Sequence, residues 1–423
     1  MKERGLPVKR RTTSASVGVA GTTSGNSLLR PLSYPTFRYY WTGAFISSIG
    51  SWLQLTAVLW LVRNMGGDTL VGVVNLVNWI PVLFLGLFAG AIADRMDRKR
   101  VVLWSQGVMM VCSILIGLCV QLAWVHDLVL MVFLAIAGIA YAIFVVAWIA
   151  TIPVLVPREE LLGAAALNNL QFNLARFVGP ILGGLLLLAA NDYVPFYANA
   201  LSFATFMVLV VVSRTEMPPA SSGSGSMLSK VLEGMRYVRG NRWMIKVLAT
   251  SCGISFFGFS FIVLIPSVCR QILLVSGHNY GFLMGMTGLG ALLGLLAVAF
   301  LKSRVGFKAM MALGCLLNAA FLAAFALSDM YWLSCILAAG AGGSFLLCNA
   351  AAIAALQRNT IPEMQGRISS MGVVSYVGVF PIGGLVLGIL SDVVSLRFSL
   401  FFAGCACVAV ALFVVFFVSV PGD

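Results

Sequence analysis

The alternation of apolar and polar positions divides the chain into twelve long apolar runs, at residues 38 to 62, 70 to 93, 101 to 123, 127 to 156, 162 to 189, 193 to 213, 246 to 273, 279 to 301, 306 to 328, 330 to 356, 367 to 390 and 395 to 419. Each can cross a bilayer as a helix, which takes about 20 apolar residues. The gaps are short except between the sixth and seventh runs. That gap runs from Arg214 to about Asn241 and contains Ser221 to Ser226, a Ser/Gly stretch that reads as flexible linker. Its second part changes period. Leu228, Val231, Leu232, Met235 and Val238 recur at helical spacing opposite Lys230, Glu233, Arg236 and Arg239, which predicts an amphipathic helix along the membrane surface. The predicted architecture is an all-α membrane protein with twelve transmembrane helices in two pseudo-symmetric six-helix bundles. These span residues 37–213 and 246–419, with a cytoplasmic linker at 214–245, a disordered basic tail at 1–36 and a short C-terminus at 420–423.

Composition sharpens this reading. Hydrophobic residues make up 60% of the chain and charged residues 10%, against about 25% charged in a soluble domain, which leaves no room for a sizeable soluble unit. The net charge of +13 would suit nucleic acid, but its distribution assigns it to the membrane. Of the 27 Lys and Arg, 23 fall on the side of the N-terminus and three, Arg63, Arg270 and Arg397, on the other; Arg176 alone lies within a span. Both termini are therefore expected in the cytoplasm, with no nucleic-acid partner. Residues 1 to 36 lack the apolar core of a signal peptide. The nine cysteines lie mostly in apolar runs without metal-ligand clustering, so they read as packing residues and no metal or cofactor is expected.

The fifth run carries the chain's distinctive chemistry. Asn169, Asn173 and Arg176 share one helix face, and Ala175, Gly179 and Gly183 form a smooth stripe beside it. Pro180 removes a backbone donor and bends the helix next to the charge. The eleventh run repeats this kink at Pro381, Gly383 and Gly384, as Val156-Pro157 before the fifth run is repeated by Ile361-Pro362 before the eleventh. Gly281 and Gly285, Gly290 and Gly294 in the eighth run match Gly86 and Gly90 in the second. Such a duplication predicts halves meeting through helices 2, 5, 8 and 11, with Gly179, Pro180, Gly183, Gly184, Pro381, Gly383 and Gly384 as hinge and interface, and a site at the centre.

The loop after the second run, Gly90-Ala-Ile-Ala-Asp94-Arg95-Met-Asp97-Arg98-Lys99, resembles motif A of the major facilitator superfamily, with Asp97 where that motif has its second glycine. The resemblance implies that Gly90, Asp94, Arg95, Arg98 and Lys99 build a latch from helix 2 to helix 11 on the cytoplasmic side. The second-half counterpart, Ser303-Arg-Val-Gly306-Phe-Lys308, has no acid. Gly179-Pro180-Ile-Leu-Gly183-Gly184 is similar to motif C of the antiporters of that superfamily. Together with Glu233-Gly-Met-Arg-Tyr-Val, these motifs look most like the branch of enterobactin-type siderophore and macrolide exporters.

The expectation is therefore a bacterial plasma-membrane transporter and not an enzyme. It would export a small amphiphilic or hydrophobic substrate as a monomer, with protons as the coupling ion implied by the resemblance. An importer or facilitator, and a non-transporting sensor, are the alternatives. No carboxylate or histidine lies mid-span to carry a proton; Asp68, Asp94 and Asp127 at helix ends are the nearest candidates. Candidate substrate-binding residues are Arg176, Asn173, Asn169, Gln54, Ser51, Tyr141, Trp148, Ser255 and Asn349. For Arg176 two roles stand open: attracting an anionic or electron-rich substrate, or capping carbonyls freed at the Pro180 bend.

Overall fold

The computed structural model describes residues 29–85, 97–189, 191–214 and 227–422. Its regular elements are all helical, and twelve are long and apolar enough to cross a membrane. In chain order these are α1 (Pro35–Met65), α2 (Asp68–Leu85), α3 (Arg98–Gln121), α4 (Asp127–Leu155), α5 (Leu161–Ala189), α6 (Val194–Val212), α7 (Arg242–Ile272), α8 (Gly277–Leu301), α9 (Phe307–Leu327), α10 (Tyr331–Arg358), α11 (Met364–Val393) and α12 (Leu396–Phe417). Within the first half α1 packs on α5 and α6, α3 on α4 and α6, and α2 on α4; within the second, α10 packs on α8 and α9, and α9 on α12. The linker helix, Met227–Gly240, rests on the start of α11, where Glu233 pairs with Arg367 at 2.9 Å and Val238 is buried, while Leu232 and Met235 remain exposed.

α7 and α11 are the irregular members. α11 breaks between Val377 and Phe380, just ahead of Pro381. α7 runs as an α-helix to Gly253, widens to a π-turn over Ile254–Phe259, tightens to a 3-10 turn over Ser260–Val263 and widens again over Val268–Ile272. Such backbone survives at membrane depth only where protein covers it. Here α7 is the most buried span, and the Ser260 hydroxyl donates to the Phe380 carbonyl at 2.6 Å, occupying an acceptor at the α11 break.

The halves meet along two seams, α5 on α8 and α2 on α11. Both lie toward the end of the bundle opposite the termini, called the far side below. The glycine stripes divide between these seams and each half's own packing. Gly179 and Gly183 receive α1 of their own half: a methyl at Gly179 would lie 2.7 Å from the Ile49 carbonyl and one at Gly183 3.0 Å from that of Leu53. Gly184 instead meets α8, with an added methyl 2.8 Å from the Gly281 Cα. Successive residues on a helix point about 100° apart, so a Gly-Gly pair can serve two neighbours at once. The second half repeats the device: Gly383 abuts the Phe256 carbonyl of α7, and Gly384 faces the α7 residue Val263 and the Asn75 amide of α2. Likewise Gly281, Gly285 and Gly288 pack on α5, whereas Gly290 and Gly294 pack on α10. Gly86 and Gly90 lie outside the described residues.

Candidate functional site

Between the halves lies a cavity of about 570 Å³ that widens toward the side bearing the termini, where Ile149, Asn169 and Gln357 on its lining are exposed. Its walls are aromatic: Trp79 from α2, Tyr141, Phe144 and Trp148 from α4, Phe172 from α5, Phe259 from α7 and Tyr376 and Phe380 from α11. No Asp or Glu lines it among the described residues, and Arg176 is its one charged side chain.

Arg176 sits in α5 one turn before Pro180 and is 5% exposed. Its guanidinium carbon lies 4.4 Å from the centre of the Phe259 ring, across the seam, and 5.6 Å from that of Trp52 on α1. Such contacts are worth about 0.5–2 kcal/mol each, more when water is excluded. Phe259 in turn stacks on Phe345 at 4.5 Å and meets Phe380 edge-on at 5.1 Å. The guanidinium donates no hydrogen bond to a described residue, and its Nη2 is buried without a partner. The carbonyls around the Pro180 bend are thus not capped by it.

The other expected residues divide into two groups. Gln54, Asn173 and Trp148 line the cavity but are already engaged: Gln54 accepts from Asn199 at 2.8 Å and from Ser113, Asn173 donates to the Asn169 carbonyl at 2.9 Å, and Trp148 donates to Asn168 at 2.8 Å. Ser51 lines it too and donates to the Ser47 carbonyl. Tyr141, Asn169 and Asn349 also line it, and the Asn349 Oδ1 has no partner. Ser255 is the exception: it has no exposed surface and stays inside the packing of the α7 π-turn, one turn short of Phe259, which reaches the cavity instead.

Two lining residues were missed from sequence. Asn75 is 1% exposed with both amide atoms unpartnered, and the Trp79 Nε1 beside it is unpartnered as well. A buried polar atom without a partner costs about 1–3 kcal/mol, a cost that a ligand group reaching it would remove. The available signal was Asn75, Asn78 and Trp79 at i, i+3 and i+4 in an otherwise apolar run, a polar face within a span.

Of the expected latch, Gly90, Asp94 and Arg95 fall outside the described residues. Asp97 caps α3 by accepting the Lys99 N–H at 2.9 Å, and Arg98 donates to the Ala150 carbonyl at 3.0 Å, tying α3 to α4 within one half. The far side carries a polar clasp that no motif announced. The Asp392 carboxylate of α11 accepts the Asp68 and Thr69 N–H groups at 3.0 and 2.7 Å, capping α2 from the opposite half. The Asp68 side chain, 1% exposed, pairs with Arg63 at 3.1 Å and accepts from Ser391 at 2.5 Å and from Ser267.

Several transporters resemble this chain. The chain is 29% identical over 369 residues to the enterobactin exporter EntS of Escherichia coli O1:K1, covering 86% of each sequence. Among solved structures it resembles a POT family transporter in complex with a thioalcohol-conjugated peptide, at TM-score 0.71 and 13% identity over 92% of this chain and 96% of that one. It also resembles a bacterial homologue of the human lysosomal transporter Spinster in an inward-facing, unoccupied conformation, at TM-score 0.66 and 14% identity over 93% and 96%. At these identities the two structures speak for the fold. The transmembrane secretion effector family matches residues 26–422, and the chain belongs to that family, as a membrane transporter of the major facilitator superfamily.

Proposed function

We propose that the protein exports a small amphiphilic, aromatic-rich compound of siderophore or drug type from the cytoplasm by alternating access, driven by proton antiport. The observation that carries this reading is the cavity: aromatic walls, a volume within the roughly 300–1,000 Å³ of small-molecule sites, and, among the described residues, one cation on its lining and no carboxylate. An aromatic ligand with an anionic or electron-rich edge would meet Arg176 there and the unpartnered Asn75 and Trp79 groups beside it. The excess of Lys and Arg on the termini side supports a cytoplasmic location for that side and for the cavity mouth in a bacterial plasma membrane. The likeness to an enterobactin exporter supports the outward direction. Transport then requires the far-side seams to part while the cytoplasmic side closes, the part assigned to the loop holding Asp94 and Arg95. For the coupling ion, Asp127 is exposed, whereas Asp68 is buried and accepts from Ser267 and Ser391 of the opposite half, which favours Asp68 over Asp127 as the carrier to test. The protein works as a monomer, since one chain encloses the whole cavity.

Uptake of enterobactin and a panel of drugs into inverted membrane vesicles tests this reading. Uptake that rises with an imposed proton gradient, and is lost in Asp68→Asn while substrate binding persists, is the expected result. Equilibration that ignores the gradient would sink antiport and leave a facilitator.

A further inference from the structure

The loop between α8 and α9, at the termini-side end of the second half, borders an open hollow of about 230 Å³ lined by Lys302, Arg304 and Arg358 together with Val305, Phe307 and, from the C-terminal end of the chain, Gly422. We infer that this hollow binds the phosphate headgroup of an anionic phospholipid. The matching loop of the first half carries its own acid: Asp97 caps α3 and lies 3.6 Å from Arg100. The second-half loop has lost that acid and kept its cations. No Asp or Glu lines the hollow among the described residues, and Lys302, Arg304 and Arg358 take part in none of the ion pairs formed among them. Charges that merely orient a protein in the membrane can spread along a loop; these three converge on one concave surface. Arg358 is steadied by the Phe307 ring, 5.8 Å from its guanidinium carbon. α9 begins at the same place, with Gly306 at its N-cap providing no side-chain acceptor, so the positive end of the helix dipole adds to the cations.

The position selects a lipid among phosphate compounds. α8 ends and α9 begins here, so the hollow sits at the level of the headgroups. Leading to it along one face of α8, Leu293, Leu296 and Phe300 are 57%, 54% and 75% exposed, an apolar track on which acyl chains can lie beneath a bound headgroup.

Native mass spectrometry of the full-length protein, titrated with phosphatidylglycerol or phosphatidylcholine of matched chains, tests the assignment. Wild type should retain phosphatidylglycerol in preference to phosphatidylcholine. Arg304→Gln with Arg358→Gln should weaken that binding about 25-fold, at roughly five-fold per cation. Arg236→Gln with Arg239→Gln on the linker helix removes the same charge elsewhere and should leave it unchanged. No preference in wild type, or equal losses in both double variants, would overturn the site and leave bulk charge. Displacement of the lipid by millimolar glycerol phosphate would overturn the lipid as occupant and assign the hollow to a free phosphate compound. None of these outcomes depends on what the central cavity transports.

Discussion

Asp392→Ala removes the acceptor that holds the start of α2 against α11. Two backbone N–H groups, those of Asp68 and Thr69, lose a carboxylate at 3.0 and 2.7 Å. A hydrogen bond to a charged group contributes about 1.5–3 kcal/mol, and replacing an N-cap by Ala costs about 0.5–2 kcal/mol. Asp392 is exposed, so water replaces part of the loss, and ~1–2 kcal/mol is the expected cost. It falls only on the state in which the halves touch at this end. At about 1.4 kcal/mol per factor of ten, the far-side-open population should rise about 5- to 25-fold. Ser51→Cys, an isosteric change in the cavity wall with the native cysteines replaced, reports that population through its labelling by an impermeant maleimide presented from the far side. The labelling rate should rise by the same factor in Asp392→Ala. An unchanged rate in a folded protein refutes the clasp.

The remaining predictions concern the seams and the cavity. Gly281→Leu drives a side chain into the Pro180 carbonyl and the Gly184 backbone across the seam, an overpacking of about 1–3 kcal/mol; export should fail while the purified protein stays monodisperse. Gly290→Leu meets Ala339 within one half and should lower folded yield instead, as read by fluorescence-detected size exclusion. Arg176→Gln loses the contacts to Phe259 and Trp52 but no hydrogen bond, so yield should hold while the Kd for an anionic aromatic substrate rises about tenfold by titration calorimetry; normal transport with reduced yield would make Arg176 structural. Asn75→Leu removes two unpartnered buried polar atoms, so the free protein should melt at the same or a higher temperature while substrate affinity falls; unchanged affinity would remove Asn75 from the site.

What was legible from sequence follows from periodicity. Twelve apolar runs become twelve spans because the bilayer leaves a backbone in lipid almost no other solution than a helix. Arg176 could be placed near the centre because a charge in a span must face protein or a cavity. The glycine stripes were legible as close contacts but not in their partners: Gly179 and Gly290 pack within their own halves and Gly184 and Gly281 across the seam, a division that depends on where neighbouring helices stand. The clasp was invisible for a related reason. Asp68 reads only as an acid at a helix end, and the tertiary fold alone brings it to Asp392, 324 residues away in the chain. Ser255 was named as a polar residue of an inner helix, and which residues of the π-turn over Ile254–Phe259 face the cavity depends on packing that sequence does not show. Asn75 was not legible because an uncharged amide in an apolar run reads equally as a hydrogen-bonded packing residue.

In the proposed transport cycle, one cavity is opened alternately to the two sides by rocking the halves on these seams. Two electron–electron distances test it most directly, one between spin labels at the far-side ends of α2 and α11 and one between labels at the termini-side ends of α4 and α10. Both are measured in the same preparation with and without enterobactin. The account predicts that the first lengthens as the second shortens. Two distances that stay fixed, or that lengthen together, would contradict it.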